Sequence, residues 1–205
     1  MANLKAIRDR IASVKNTKKI TEAMRLVAAA KVRRAQEQVN ATRPFADNLA
    51  QVLYNVRGKL KFEDVDLPLF RQREIKKVAL LVVSGDRGLC GGYNANLIKL
   101  AKSTIAEKYS SQFNKGNVTI WNIGKKGYES LTKAGYTTDA TFKDIFLQLS
   151  FENVQAAAAA AMKAFEDKTF DAVEIIYSEF KNAASQEFKA EAFLPIPKVK
   201  SSGAA

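Results

Sequence analysis

Apolar residues return at steps of three and four through the first sixty positions. Leu4, Ile7, Ile11 and Val14 begin the series; Met24, Ala28, Val32, Ala35 and Val39 continue it; Leu49, Val52, Leu53 and Val56 close it. That spacing lays a narrow apolar stripe along one side of a helix, as in a coiled coil. The stretch Glu22 to Lys31 is rich in strong helix formers. Strict heptads put Lys18 and Arg25 in the stripe, so a shift of register is expected between Val14 and Met24. About 55 helical residues at ~1.5 Å each span ~80 Å, which exceeds an ordinary globular core. Most of this helix is therefore expected to lie along a partner helix or inside another protein. Pro44 is expected to kink it without ending it, because the apolar spacing resumes beyond. Arg57-Gly58-Lys59 offers a glycine cap at its end.

The pattern then changes. Residues 61–76, with Pro68 and mixed charge, read as a linker. Lys77 to Ser84 is a continuous apolar run, the mark of a strand buried on both faces of a parallel sheet. A glycine-rich loop follows, then a helix over Tyr93 to Tyr109, a strand over Val118 to Ile123 and a helix from Gly124 to Ala134, closed by Gly135. Phe151 to Asp167, with six consecutive alanines, predicts another helix. Ala172 to Ser178 predicts a third strand, and Phe188 to Leu194 a fourth that stops at Pro195 and Pro197. Strands alternating with helices predict an α/β chain: a long N-terminal coiled-coil helix (1–60), then an open, mostly parallel, Rossmann-like α/β domain (77–197). Residues 198–205 read as a flexible tail.

Charge sharpens the picture. Through residue 60 there are thirteen Lys or Arg against four acids, a local +9 within a chain total of +12. Such a helix repels itself and seeks acidic surfaces. Histidine is absent and cysteine occurs once, which rules out an intrachain disulfide or a Cys/His metal centre. No eighteen-residue apolar run is present, so no membrane-spanning helix is expected. The amino terminus has no apolar core of a signal peptide.

Few residues suggest chemistry. Gly85-Asp86-Arg87-Gly88-Leu89-Cys90-Gly91-Gly92 lies between a strand and a helix, where phosphates often bind. Its spacing matches neither G-x-G-x-x-G nor a P-loop. A turn with positive φ angles and close backbone packing explains it better. Cys90 has no histidine to activate it, so a small, partly buried packing role is expected. Lys18-Lys19 and Arg33-Arg34 stay open among a solvated face, contact with an acidic protein, and nucleic acid. No carboxylate pair, triad or metal cluster stands out, and no catalytic residue or cofactor is expected.

Two blocks carry a family resemblance. Ile7 to Thr17 with Lys19 to Met24, and Val27 to Lys31, closely resemble the amino terminus of the gamma subunits of F-type ATP synthases. Val83 to Asn94 resembles the same family's loop after the first strand. The resemblance covers most of the chain and weakens after about Asn114. It implies a non-catalytic central-stalk rotor, coupling proton-driven rotation to the catalytic beta subunits. The implied partners are the alpha and beta subunits of the catalytic ring, the epsilon subunit and the membrane ring of c subunits, with no nucleic acid. The implied place is peripheral, on the cytoplasmic side of a bacterial membrane or the stromal side in a plastid. Contacts to the beta subunits are expected from Lys18, Met24, Arg25, Arg33, Arg34, Asp86, Arg87 and Cys90. The coiled-coil seam is expected from Leu4, Ile7, Ile11, Val14, Ala28, Val32, Ala35 and Val39. Family members carry a second long helix at the carboxyl terminus, which is expected to be missing here. Chloroplast members carry a regulatory cysteine pair beyond the region matching Leu194-Pro195, and this sequence holds no such pair. The other reading left open is a basic coiled-coil adaptor for nucleic acid or an acidic protein.

Overall fold

The computed structural model describes residues 3–59, 67–182 and 185–197. The expected flexible tail and residues 61–66 of the expected linker lie outside the described residues. The chain divides into two compact units, one carrying the amino-terminal helix and the other everything described from residue 67 on.

The first unit is a single helix, α1, Leu4–Lys59, 56 residues without a break, and Pro44 sits inside it. Asn3 opens it, its side-chain oxygen accepting the Lys5 N–H at 3.1 Å. α1 is continuous through Val14 to Met24, where the shift of seam register is expected. In an unbroken α-helix one frame of alternating three- and four-residue steps runs through Leu4, Ile7, Ile11, Val14, Lys18, Thr21, Arg25, Ala28, Val32, Ala35 and Val39, and picks up Leu49, Leu53 and Val56 beyond. Polar side chains occupy its positions 18, 21 and 25. At ~100° per residue the apolar stripe drifts back by ~20° per heptad, the offset that winds a two-helix seam left-handed.

The second unit is a five-stranded sheet with helices on both faces. In chain order it runs β1 (Val78–Val83), α2 (Tyr93–Lys108), α3 (Ser110–Asn114), β2 (Val118–Ile123), α4 (Lys125–Lys133), β3 (Thr138–Asp139), α5 (Phe151–Glu166), β4 (Ala172–Phe180) and β5 (Gln186–Leu194). The strand order is β3-β2-β1-β4-β5. All neighbours are parallel except β4 and β5, which are antiparallel. The fold class expected from the sequence is thus the one observed, with four elements it did not predict: α3, the two-residue β3, and short 3-10 turns at Pro68–Phe70 and Ile145–Gln148.

β1 is central, and its apolar run fills both layers. Val78, Leu80 and Val82 pack under α2 and α4 with Leu97, Ala101, Ile105 and Leu131. Ala79 and Leu81 face α5 with Ala161, Phe165 and Phe170. Ala157 and Ala161 of the six-alanine run are buried, and their small side chains let α5 lie close to the sheet. Ser150 caps α5, its Oγ accepting the Asn153 N–H at 3.3 Å.

Residues 67–76, part of the expected linker, are fastened to this unit. Leu69 joins the α5-side core, and its carbonyl accepts the Ile196 N–H at 2.8 Å. The Arg73 guanidinium donates to the Phe165 and Phe170 carbonyls and lies 3.4 Å from Asp171. Asp171 in turn accepts the Lys76 and Lys77 N–H groups at 3.0 and 2.9 Å.

Candidate functional site

Two surfaces carry the residues singled out above, one in each unit. On α1, Leu4, Ile7, Ile11, Val14, Ala28, Val32 and Ala35 are all exposed, and Val39 is half-buried. Exposure of so long an apolar stripe is uncommon on a chain that works alone, and marks an interaction face. Lys18, Thr21 and Arg25 form a polar notch in that stripe. With Val14, Thr17 and Glu22 they border a shallow groove of about 550 Å³. Roughly a third of a turn away, Ile20, Ala23, Met24, Val27, Ala28 and Lys31 border a second groove of about 500 Å³. Met24, 62% exposed, therefore lies on an apolar flank beside the notch, which shares Ala28 with the stripe. Grooves between rows of side chains are what a neighbouring helix's ridges fill.

The basic positions differ in their surroundings. Arg25 lies 3.9 Å from Glu22, and Arg33 lies 3.0 Å from Glu37, both on the same helix. Such exposed pairs contribute about 0–1 kcal/mol. They leave the guanidinium groups open to a stronger partner. Lys18 and Arg34 have no carboxylate partner among the described residues, and both are exposed.

The second surface is the loop between β1 and α2. It stands at the carboxyl end of the central strand, where the chain first steps outward to β2 and later returns to β4 on the other side. In open α/β sheets that switch point is where ligands commonly sit. Here the loop is closed by its own contacts. Asn94 Oδ1 accepts the Gly85 N–H at 2.8 Å, and Asn94 Nδ2 donates to the Arg87 carbonyl at 3.1 Å. Asp86 Oδ1 accepts the Lys125 N–H at 3.0 Å, capping α4. The Ser84 hydroxyl, buried, accepts the Gly127 N–H at 2.8 Å and donates to the Gly124 carbonyl. Gly124 must be glycine: its φ is 108°, and a Cβ there would stand 2.1 Å from the Ser84 carbonyl oxygen.

This bracing holds a projecting tip. Leu89 and Gly91 adopt φ values of 60° and 58°, and Arg87, Gly88, Leu89 and Cys90 are exposed. The partly buried packing role expected for Cys90 is not observed. The turn at Leu89 carries the thiol outward, where Asn94 Nδ2 lies 3.2 Å from Sγ. Burial, and then the neighbouring Cys90, raise the Tyr93 phenol above its ordinary pKa. Arg87 has no carboxylate partner among the described residues. Asp86, Arg87 and Cys90 thus share one braced loop, with Asp86 half-buried and spent on α4.

Sequence reading missed the side chains that hold this loop. Asn94 and Ser84 were legible only as polar residues flanking a glycine run; nothing local says that they reach across nine and forty-three positions. No group of three or more metal-ligating side chains occurs among the described residues. None of their helices is long and apolar enough to cross a membrane.

The family model described as ATP synthase matches residues 3–204. The ATP synthase gamma chain of Thermosynechococcus vestitus is 50% identical over 196 residues, and that of a Cyanothece species 51% over 202. Each alignment covers 96% of this chain but 61% of the relative, so the chain spans about three fifths of their length. Among solved structures, a central-stalk and c-ring structure of the Tetrahymena thermophila mitochondrial ATP synthase aligns over 86% of this chain and 72% of its own, with TM-score 0.58 and 24% identity. A Euglena gracilis mitochondrial ATP synthase structure aligns over 92% and 56%, with TM-score 0.56 and 18% identity. At those identities the likeness is one of fold.

Proposed function

The chain belongs to the ATP synthase family, its relatives being gamma chains, and on that premise we propose that it is the central-stalk rotor subunit of an F-type ATP synthase. The observation that carries this reading is α1: 56 helical residues with a heptad-spaced apolar stripe, exposed at all of its named positions but the half-buried Val39. A rotor needs a stiff shaft, and a second antiparallel helix on the Leu4–Val56 seam supplies it. The alpha and beta subunits surround that shaft. The sheet unit acts as the foot, meeting the epsilon subunit and the membrane ring of c subunits.

The chemistry of the contacts suits repeated rotation. Lys18, Met24, Arg25, Arg33 and Arg34 offer charge and small apolar area to the beta subunits. Each exposed ion pair contributes about 0–1 kcal/mol, weak enough to break at every step. Arg87 reaches acidic segments of the same subunits from the braced loop, with Cys90 beside it. The chain itself performs no chemistry and binds no nucleotide. It works at the periphery of the energy-transducing membrane, on the cytoplasmic side in a bacterium or the stromal side in a plastid.

Reconstitution tests this. The chain is mixed with alpha and beta subunits, with and without a second helix supplied as a separate polypeptide. Stoichiometric capture of one chain per ring, strengthened by that helix and weakened by Arg87→Ala, is the expected result. Failure to enter the ring under any of these conditions, or nucleotide binding by the chain alone, refutes the reading.

A further inference from the structure

The sheet unit contains a cavity for which the rotor role has no use. It measures about 410 Å³ and opens where β4 begins, between the carboxyl end of β5 and the residues leading into β1. Ile75, Leu194 and Pro195 give it an apolar rim, while Tyr109 and Glu174 give it a polar floor. Glu174 interrupts the apolar run Ala172-Val173-Glu174-Ile175-Ile176 on the second strand of the core. It is 5% exposed, and among the described residues it is the only buried charged side chain.

Its two oxygens are treated unequally. Oε1 accepts from Lys108 Nζ at 2.9 Å and from the Tyr109 hydroxyl at 2.8 Å. Oε2 is buried and accepts nothing from the protein. A buried carboxylate oxygen left without a donor costs free energy, and native folds rarely tolerate one. In this structure both neighbours serve Oε1 alone. Burial first, and then the bond to Glu174, push the Tyr109 phenol well above its ordinary pKa, and its one O–H donates to Oε1. Lys108 approaches from the outer side, its side chain 53% exposed.

We propose that this cavity receives an alkyl cation, a guanidinium or primary ammonium on a short aliphatic stem, with Glu174 as its counter-ion. The stem lies against Ile75, Leu194 and Pro195, and the head donates to the second carboxylate oxygen. Glu174 lines the cavity, and Oε2 is the carboxylate oxygen that the protein leaves free to accept from the guest. An anion is repelled by the carboxylate, and an apolar guest leaves Oε2 unpaired. A guanidinium brings several donors on one planar fork, whereas the half-exposed Lys108 ammonium donates to Oε1 from the outer side. Two sources carry this chemistry: a free small amine or guanidine, and an Arg or Lys side chain presented by another protein.

Calorimetric titration of the full chain with n-butylguanidinium tests the proposal, with uncharged n-butylurea as the matched control. Saturable binding of the cation and none of the urea is expected. Glu174→Gln, which keeps the shape and removes the charge, should weaken it at least tenfold. Should that variant fail to fold, Ala192→Phe fills the cavity from the β5 wall, leaves Glu174 in place and should abolish binding with an unchanged near-ultraviolet circular dichroism spectrum. N-acetylarginine methylamide separates the sources. If it binds at least as tightly as butylguanidinium, a protein side chain is the guest; if it is excluded while butylguanidinium binds, a free small cation is. Absence of saturable binding by either cation, equal binding of butylurea, or binding that survives the variants overturns the proposal.

Discussion

Replacing Arg73 by alanine should cost the sheet unit about 3 kcal/mol, because one side chain there closes four contacts. Its guanidinium donates to the carbonyls of Phe165 and Phe170, the second at 3.3 Å. It stands 3.4 Å from Asp171 and 4.0 Å from the centroid of the Phe165 ring. The side chain is 22% exposed and Asp171 14%, so water replaces these partners poorly. A hydrogen bond from a charged donor contributes about 1.5–3 kcal/mol, and a cation over an aromatic face about 0.5–2. These contributions share one guanidinium and do not add, and Asp171 keeps the Lys76 and Lys77 N–H groups. Hence the estimate of about 3 kcal/mol, roughly a hundredfold in the folding equilibrium. Arg73→Lys keeps the charge but loses the fork, and should cost about half as much. Urea unfolding followed by tryptophan fluorescence measures both. The chain's one tryptophan, Trp121, packs edge-on to Phe170 at 5.9 Å and so reports on this corner. A loss below about 1 kcal/mol for the alanine variant refutes the idea that Arg73 fastens residues 67–76 to the sheet.

Filling the notch in α1 with Lys18→Leu and Arg25→Leu removes two like charges and extends the apolar stripe, so self-association read by sedimentation should rise at least tenfold; an unchanged association constant contradicts the placement of both positions in the stripe. Gly124→Ala should prevent native folding, since a Cβ 2.1 Å from the Ser84 carbonyl oxygen at φ 108° cannot be accommodated; a soluble variant with wild-type melting temperature rejects this. Glu179, held by Lys181 and then Lys189 at 2.8 and 2.6 Å, has its pKa lowered from 4.5 to about 2. Because the folded value is the lower one, these contacts stabilise the fold above about pH 4.5 and are lost as pH falls toward 2. Carbon-detected NMR of Glu179 should show a midpoint near 2 that moves upward in Lys181→Met, and a midpoint unchanged by that substitution removes the lysines as the cause.

Much of this protein is decided by local pattern. The β1 run Val78 to Val83 is apolar at every position, which only a strand covered on both faces accommodates, and the parallel sheet follows. α1 is equally local: a 3.5-residue repeat over Leu4 to Val56 requires a helix, and its bare stripe requires a partner. The register of the seam through Lys18, Thr21 and Arg25 is set by the helix that packs on it, which neighbouring residues do not specify. What the fold alone decided are pairings between distant positions. Ser84 and Gly127, Arg73 and Asp171, and Glu174 with Lys108 and Tyr109 are neighbours because the parallel crossovers bring them together. A charged residue in the run Ala172 to Ile176 was visible as an exception, but its burial and its unpaired oxygen depend on α2 and β5 closing over it. Hydrophobic periodicity is a property of neighbouring residues, so sequence carries it; the desolvation and partnering of a single polar group are set by whatever the whole chain folds against it.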